Sequence, residues 1–488
     1  MWEDRGVSAV PSVSNSITVR LEVPAGGSSV SALTTAVEQA GGTITALDVT
    51  ASGHERLRID VTCAARDTDH ADQLVEVMRR VPGVVIGKVS DRVFLAHIGG
   101  KIAMDSKRPI RNRDDLSLVY TPGVARVSMA LAANPGDARR LTIKRNSVAV
   151  ITDGSAVLGL GNVGPYAALP VMEGKAALFR RFGGIDAWPL CLDTQDTEAI
   201  IAVVRAVAPG FAGINLEDIS APRCFEIEAR LRQELDIPVF HDDQHGTAIV
   251  VLAALINSLR VVDKRMEDVR IVMSGAGAAG TAIIKLLLAA GAQDLVVTDI
   301  DGVVTADRPG IAGELAWIAG HTNRLDLHGT IREAIVGADV FIGVSAPDVI
   351  TGDDVARMAD RSIVFALANP DPEVDPAEAG RHAAVVATGR SDFPNQINNV
   401  LAFPGVFRGL LDAQSKEVTT PMLVAAAHAL ANVVKDEELN AAYITPSVFH
   451  SDVHTAVAAA VRTAAGGPAE LPKDTELEDG DVVLASAL

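Results

Sequence analysis

The sequence predicts an α/β protein of two consecutive α/β units, preceded by a small α+β unit of order βαββαβ. Three observations carry that expectation. From about residue 97 to 430, short β-branched apolar runs alternate with helix-length stretches, the pattern of sheets covered by helices. A glycine pattern G-x-G-x-x-G at 275–280, GAGAAG, stands between one such run and a helix. The first 95 residues follow a different, split order of strand and helix signals.

In that first unit (1–96), SITVRLEV alternates as a strand, PAGGSS turns, and SALTTAVEQAGG reads as a helix. TITALDVT and RLRIDVTC follow as strands, DHADQLVEVMRRV as a second helix and GVVIGKVSD as a last strand. The order resembles an ACT domain, a regulatory fold, which implies either an amino-acid-type effector or an oligomerising role. In the second unit (97–265), the strands SVAVITD, AWPLCLD, FAGINLED and IPVFHDD each end in acidic residues. Open α/β sheets place their sites at the carboxyl ends of strands. The third unit (266–430) has strand-like RIVMSG, DLVVTDI, DVFIGVS, SIVFALAN and AAVVATG. Ala-rich helices fill 431–466, and the acidic tail 467–488 is expected to be disordered.

Composition bounds the function. The chain has 488 residues, 48% hydrophobic but only 4% aromatic, and a formal charge of −19, which argues against nucleic acid or an anionic membrane as partner. Its three cysteines are far apart, without CxxC, as expected of a reducing cytoplasm. The acidic N-terminus has no apolar signal region, and Asn257 and Lys285 interrupt the longest apolar runs, so a soluble cytoplasmic enzyme is expected.

The glycine pattern occurs twice, as GLGNVG at 159–164 and GAGAAG at 275–280. Only the second has the full context of a dinucleotide loop: strand, loop, helix, second strand, then Asp299 19 residues beyond Gly280 to accept the ribose hydroxyls. Gly275, Gly277, Ala278, Ala279 and Gly280 would cradle the pyrophosphate at a helix N-terminus. Ile300 and Asp301 follow Asp299 where a 2′-phosphate would need a cation, which favours NAD over NADP. After GLGNVG the next strand-end acid, Asp193, comes 29 residues beyond Gly164, so this loop is expected to line another site.

Glu217, Asp218, Asp242 and Asp243 are clustered acids at strand ends, suited to Mg²⁺ or Mn²⁺, though each also reads as a solvated loop acid or, for Asp242 and Asp243, a helix N-cap. His241 and His245 lack further nitrogen or sulfur partners and read as structural. Lys175, among apolar and small residues, is a base if burial lowers its pKa and a surface lysine otherwise. Tyr120, before a Pro-Gly turn, reads equally as a packing residue.

The runs LVYTPGVA, ITDGSAVLGLGNVGPYAALPVMEGKAALF, FAGINLEDI, VFHDDQHGTA, SGAGAAG, ALANPDPE and NQINNVLAFPG together resemble the compact bacterial malic enzymes, from about Gly99 to Ala465. The resemblance implies a malate-binding domain, a Rossmann-like NAD domain and oxidative decarboxylation of L-malate to pyruvate. It implies a divalent metal on Glu217, Asp218 and Asp243, supported by Asp242, with Lys175 as base and Tyr120 as acid. Asn369 and Asn399 are implied to hold the substrate carboxylates, Asn369 also facing the cofactor. It further implies a homo-oligomer in which a partner subunit supplies part of the site. One departure stands out: larger members carry a carboxylate-gripping arginine where this chain has Ala156. Malolactic or oxaloacetate-decarboxylating chemistry is the alternative, and an inactive effector-binding sensor the third.

Overall fold

A computed structural model describes residues 11–25, 28–157 and 159–468, which excludes the N-terminal decapeptide and the acidic tail discussed above. It divides into two compact units, Met1–Met104 and Asp105–Leu488.

In the first unit, β1 (Ser12–Pro24), β2 (Thr43–Ser52), β3 (Arg56–Ala65) and β4 (Val85–Asp91) form one antiparallel sheet in the order β2-β3-β1-β4. Val19, Leu21 and Val23 alternate into the core, where Leu33 and Val37 of helix Ser28–Gln39 and Leu74 and Met78 of helix Thr68–Arg80 meet them. Asp67 caps the second helix by accepting from the His70 amide. This is the expected split βαβ sandwich. It continues past residue 96 through a short helix, Arg92–His97, capped by Asp91.

The second unit holds two sheets. β5 (Ser147–Thr152), β6 (Asp186–Cys191), β7 (Gly213–Leu216) and β8 (Val239–His241) are parallel in the order β6-β5-β7-β8. The other sheet comprises β9 (Arg270–Ser274), β10 (Asp294–Asp299), β11 (Gly302–Val303), β12 (Val340–Gly343), β13 (Ile363–Ala366) and β14 (Val385–Thr388). Its order is β11-β10-β9-β12-β13-β14, the doubly wound 3-2-1-4-5-6 arrangement, with only β11 antiparallel. The strand order therefore reverses between β9 and β12, where such sheets bind dinucleotides.

Helix Thr247–Val261 is buried between the sheets and packs on helices Ala278–Ala289 and Thr420–Ala431. Together with the turn before it, it is one of two described helical stretches long and apolar enough to cross a membrane, the other being Arg113–Ala133. Asn257 does not interrupt it, contrary to the sequence expectation. Its side-chain amide is buried and donates to the carbonyls of Ala431 and Ile444, so a polar residue serves a helix contact. The C-terminal region also differs from expectation. Helices Thr420–Ala431 and Val453–Ala464 are separated by an irregular segment, 432–452, which Asn257 helps to hold.

Candidate active site

The site is built from the exits of β7 and β8, adjacent in the parallel sheet. Beyond β7, Glu217 and Asp218 turn into the interior, Asp218 in left-handed backbone with φ 53°. A non-glycine residue held there stores about 1 kcal/mol of strain, of the kind that collects at functional sites. Beyond β8, Asp242–Gly246 forms one wide π turn before the buried helix, again a feature common at such sites. Gly246 is needed in that turn, because a Cβ there would fall 1.9 Å from Asp242 Oδ1; the next neighbour it would meet is Asn399, 3.3 Å away.

Glu217, Asp218 and Asp243 each present a carboxylate oxygen within 4.8 Å of the others. The Asp218 amide donates to Asp243 Oδ2 at 2.9 Å, and Asn215 donates to Glu217 Oε2 at 2.8 Å. Asp218 Oδ2 and Asp242 Oδ1 are buried with no hydrogen-bond partner. Burial, followed by the mutual repulsion of the acids, pushes the Asp218 carboxyl up to about 9. Burial also raises Asp242, to about 8, against the pull of Lys175, and lifts Glu217 and Asp243. Three buried carboxyls and the partly exposed Asp243, with one lysine among them, lack positive charge, and a hard divalent cation with oxygen ligands fits that deficit.

Lys175 comes from helix Gly164–Gly183 and is buried. Its Nζ lies 2.9 Å from Glu217 Oε1, hydrogen bonds to Asp242, and sits 4.0 Å from the centre of the Phe403 ring. Here the sequence expectation is corrected. Burial alone would lower this pKa, but Asp242 and Glu217 overcome it and raise the ammonium above its ordinary range. Burial excludes the reading of Glu217, Asp218, Asp242 and Lys175 as solvated surface groups, while Asp243 keeps a partly exposed side chain.

Tyr120 stands apart from the buried cluster. It caps the short helix Arg113–Val119, is 66% exposed, and no hydrogen bond among the described residues joins it to the buried cluster. The physical reason is that its surroundings are uncovered: helices Arg113–Val119 and Gly123–Ala133 contain no buried residue.

The two glycine loops take different places. Gly159 and Gly161 have φ 74° in a turn beyond β5, pinned by a Val157–Gly161 bridge. A Cβ on Gly159 would lie 3.4 Å from the Asn369 carbonyl oxygen, so this loop faces the β13 exit. The loop at 275–280 leaves β9 at the switch point. A Cβ on Gly275 would lie 2.6 Å from the Val344 carbonyl oxygen, and one on Gly280 2.0 Å from that of Gly275. Gly277 caps helix Ala278–Ala289, whose first turn includes Ala279. Ser274 and Ser345 hydroxyls meet at 2.7 Å across β9 and β12, and buried Glu373 accepts from the amides of Ser345 and Ala368, tying the Asn369 loop to the glycine loop.

Asp299 ends β10 as expected, but it is not bare. Arg308 donates to Asp299 at 2.8 Å and to Asp301 at 2.7 Å. Sequence reasoning missed this arginine because it lies nine residues on, beyond a return strand of only two residues. His245 donates to Glu228 at 2.7 Å, a structural role as expected, while His241 is fully buried near Asp243.

Residues 99–232 match the family profile for the malic enzyme N-terminal domain and residues 244–466 that for the malic enzyme NAD binding domain. This chain belongs to the malic enzymes. It is 55% identical over 449 residues to an NAD-dependent malic enzyme of Geobacillus stearothermophilus, covering 92% of this chain and 94% of that protein. A bifunctional malic/malolactic enzyme of Bacillus subtilis is 50% identical, covering 77% and 93%. Among solved structures, an NAD-dependent malic enzyme of Thermotoga maritima superposes with TM-score 0.73 at 46% identity, covering 76% of this chain and 99% of that one. The malic enzyme fold, with its Rossmann-like NAD-binding domain, is thereby established for this chain.

Proposed function

We propose that this protein catalyses the NAD-dependent oxidative decarboxylation of L-malate to pyruvate and CO₂ at the Lys175 cluster. The buried arrangement of Lys175 with Glu217, Asp218, Asp242 and Asp243 carries the reading, because each group has a use in that reaction.

Glu217, Asp218 and Asp243 would hold Mg²⁺ or Mn²⁺, which would supply Lewis acidity for the substrate oxygen. NAD, held by Gly275, Gly277, Ala278, Ala279, Gly280 and Asp299, supplies the hydride acceptor. Lys175 takes the C2 hydroxyl proton, oriented by Asp242. Asp242 and Glu217 are the two acids that hold the Lys175 ammonium, and a cation on Glu217 would weaken that hold. Asn399, beside the Gly246 turn, and Asn369, facing the Gly159 loop, would orient the substrate carboxylates and keep C4 placed for loss as CO₂. Tyr120 returns a proton to C3.

For Tyr120 to act, a second copy of the chain must bring it in. The uncovered segment around it exposes Leu116, Leu118, Val127 and Met129, an apolar face suited to self-association. Mixing subunits tests this directly. Tyr120→Phe and Lys175→Ala proteins should each be nearly inactive alone. After dissociation and remixing, about a quarter of wild-type activity should return, because half the dimers then hold one intact site. No recovery would place Tyr120 with the Lys175 of its own chain.

The function itself is tested with L-malate, Mn²⁺ and either NAD or NADP, quantifying reduced cofactor and pyruvate. Turnover with NAD preferred is expected; lactate without free reduced cofactor would instead favour malolactic chemistry, which the Bacillus subtilis relative's name includes. The first unit is read as an ACT-like effector module. Its sheet order supports that, and the Geobacillus stearothermophilus relative aligns over too much of the chain to lack it altogether. A chain lacking residues 1–104 should lose any response of turnover to added amino acids.

A further inference from the structure

The loop that carries Ala156 in place of an arginine, 153–156, is held by an arginine from elsewhere. Arg223 opens helix Arg223–Glu234. A cation in a first helical turn is opposed by the helix dipole, so helix formation does not explain its position. Its Nη2 donates to Asp153 Oδ2 at 2.8 Å and to Ser155 Oγ at 2.9 Å. Asp153 is 1% exposed, and Arg223 is the only cation ion-paired with it among the described residues.

The contacts continue toward the carboxylates. Asp153 Oδ1 accepts from the Ser155 amide at 3.0 Å and from its hydroxyl at 2.5 Å. Ser155 Oγ in turn accepts from the Ser220 amide at 2.9 Å. The Ala156 amide donates to the Asp218 carbonyl at 2.9 Å. Ser155, held by Arg223 and Asp153, and the adjacent Ala156 amide thus hold the turn Asp218–Ser220 from the carboxyl side of Asp218, the residue in left-handed backbone. A strained carboxylate persists only where its surroundings over-determine it, and this network is what surrounds it.

We infer that Arg223 is a positioning residue for the cation site, acting through Asp153 and Ser155 to fix Asp218 at ligand spacing from Glu217 and Asp243. The inference rests on the reading of Glu217, Asp218 and Asp243 as that site. The experiment is Mn²⁺ binding to the full-length protein, measured by electron paramagnetic resonance without malate or cofactor, with NADH affinity as the control. Wild-type protein that binds no Mn²⁺ would remove the underlying site reading and this inference with it. With wild-type binding present, Arg223→Gln should weaken Mn²⁺ affinity about 10–100-fold, the usual effect of losing a partner behind the ligands. NADH affinity should change less than about twofold, and Arg223→Lys should recover part of the loss because an ammonium reaches one of the two oxygens. Ser155→Ala, which keeps the Arg223–Asp153 pair, should weaken Mn²⁺ severalfold and serves if Arg223→Gln does not fold. Unchanged Mn²⁺ affinity in either folded variant would overturn the inference; if the malate KM alone rises, Arg223 meets the substrate instead.

Discussion

GLGNVG and GAGAAG share one sequence pattern and do different work, and the difference lies in what each glycine faces. At 275–280, a side chain on Gly275 would collide with the Val344 main-chain oxygen across the β9–β12 switch point and one on Gly280 with the Gly275 oxygen of the same loop, so close backbone approach demands glycine. At 159–164, a Cβ on Gly161 or Gly164 would meet nothing within 4 Å, and glycine serves the left-handed turn alone. GAGAAG leads into a helix N-terminus, the phosphate cradle of the proposed account. GLGNVG shapes a turn facing Asn369. A glycine fingerprint is therefore decided by its neighbours across the sheet.

Substitutions can break this comparison. The largest effect is expected for Gly280→Ala, whose Cβ would sit 2.0 Å from the Gly275 carbonyl oxygen. Overpacking of about 3 kcal/mol corresponds to a loss on the order of 100-fold in NADH affinity, read by fluorescence titration, with Mn²⁺ binding intact. Asp299→Ser should come next. Losing a charged hydrogen-bond acceptor costs about 1.5–3 kcal/mol, a rise of about 10–100-fold in the NAD KM. It also frees one of the two bonds of Arg308, so the NADP-to-NAD ratio of kcat/KM should increase. The smallest effect belongs to Gly161→Ala, where only left-handed backbone resists a side chain. About 1 kcal/mol of strain should appear as a severalfold change in malate KM, with NADH affinity unaltered.

The same contrast separates what was legible in the sequence from what was not. Strand ends, the first unit's order and the glycine loop of the NAD domain follow from local periodicity and turn residues, and each was readable along the chain. The acids of the site were readable because β7 and β8 deliver them at their carboxyl ends. Three features were not, since each depends on partners distant in sequence. Lys175 gains rather than loses basicity because Asp242, 67 residues on, reaches it. Arg308 finds Asp299 only because β11 turns back on β10. Tyr120 lies on a surface whose cover is no part of the same chain in the proposed account, and nothing in its neighbours' spacing announces that.

The most direct test of the central claim is the stoichiometry of NADH binding to the full-length protein. One NADH per wild-type chain is predicted, none at comparable concentrations for Gly280→Ala, and one for Gly161→Ala. Two per wild-type chain, or loss of binding in Gly161→Ala with retention in Gly280→Ala, would contradict the assignment of the two loops and the active site built upon it.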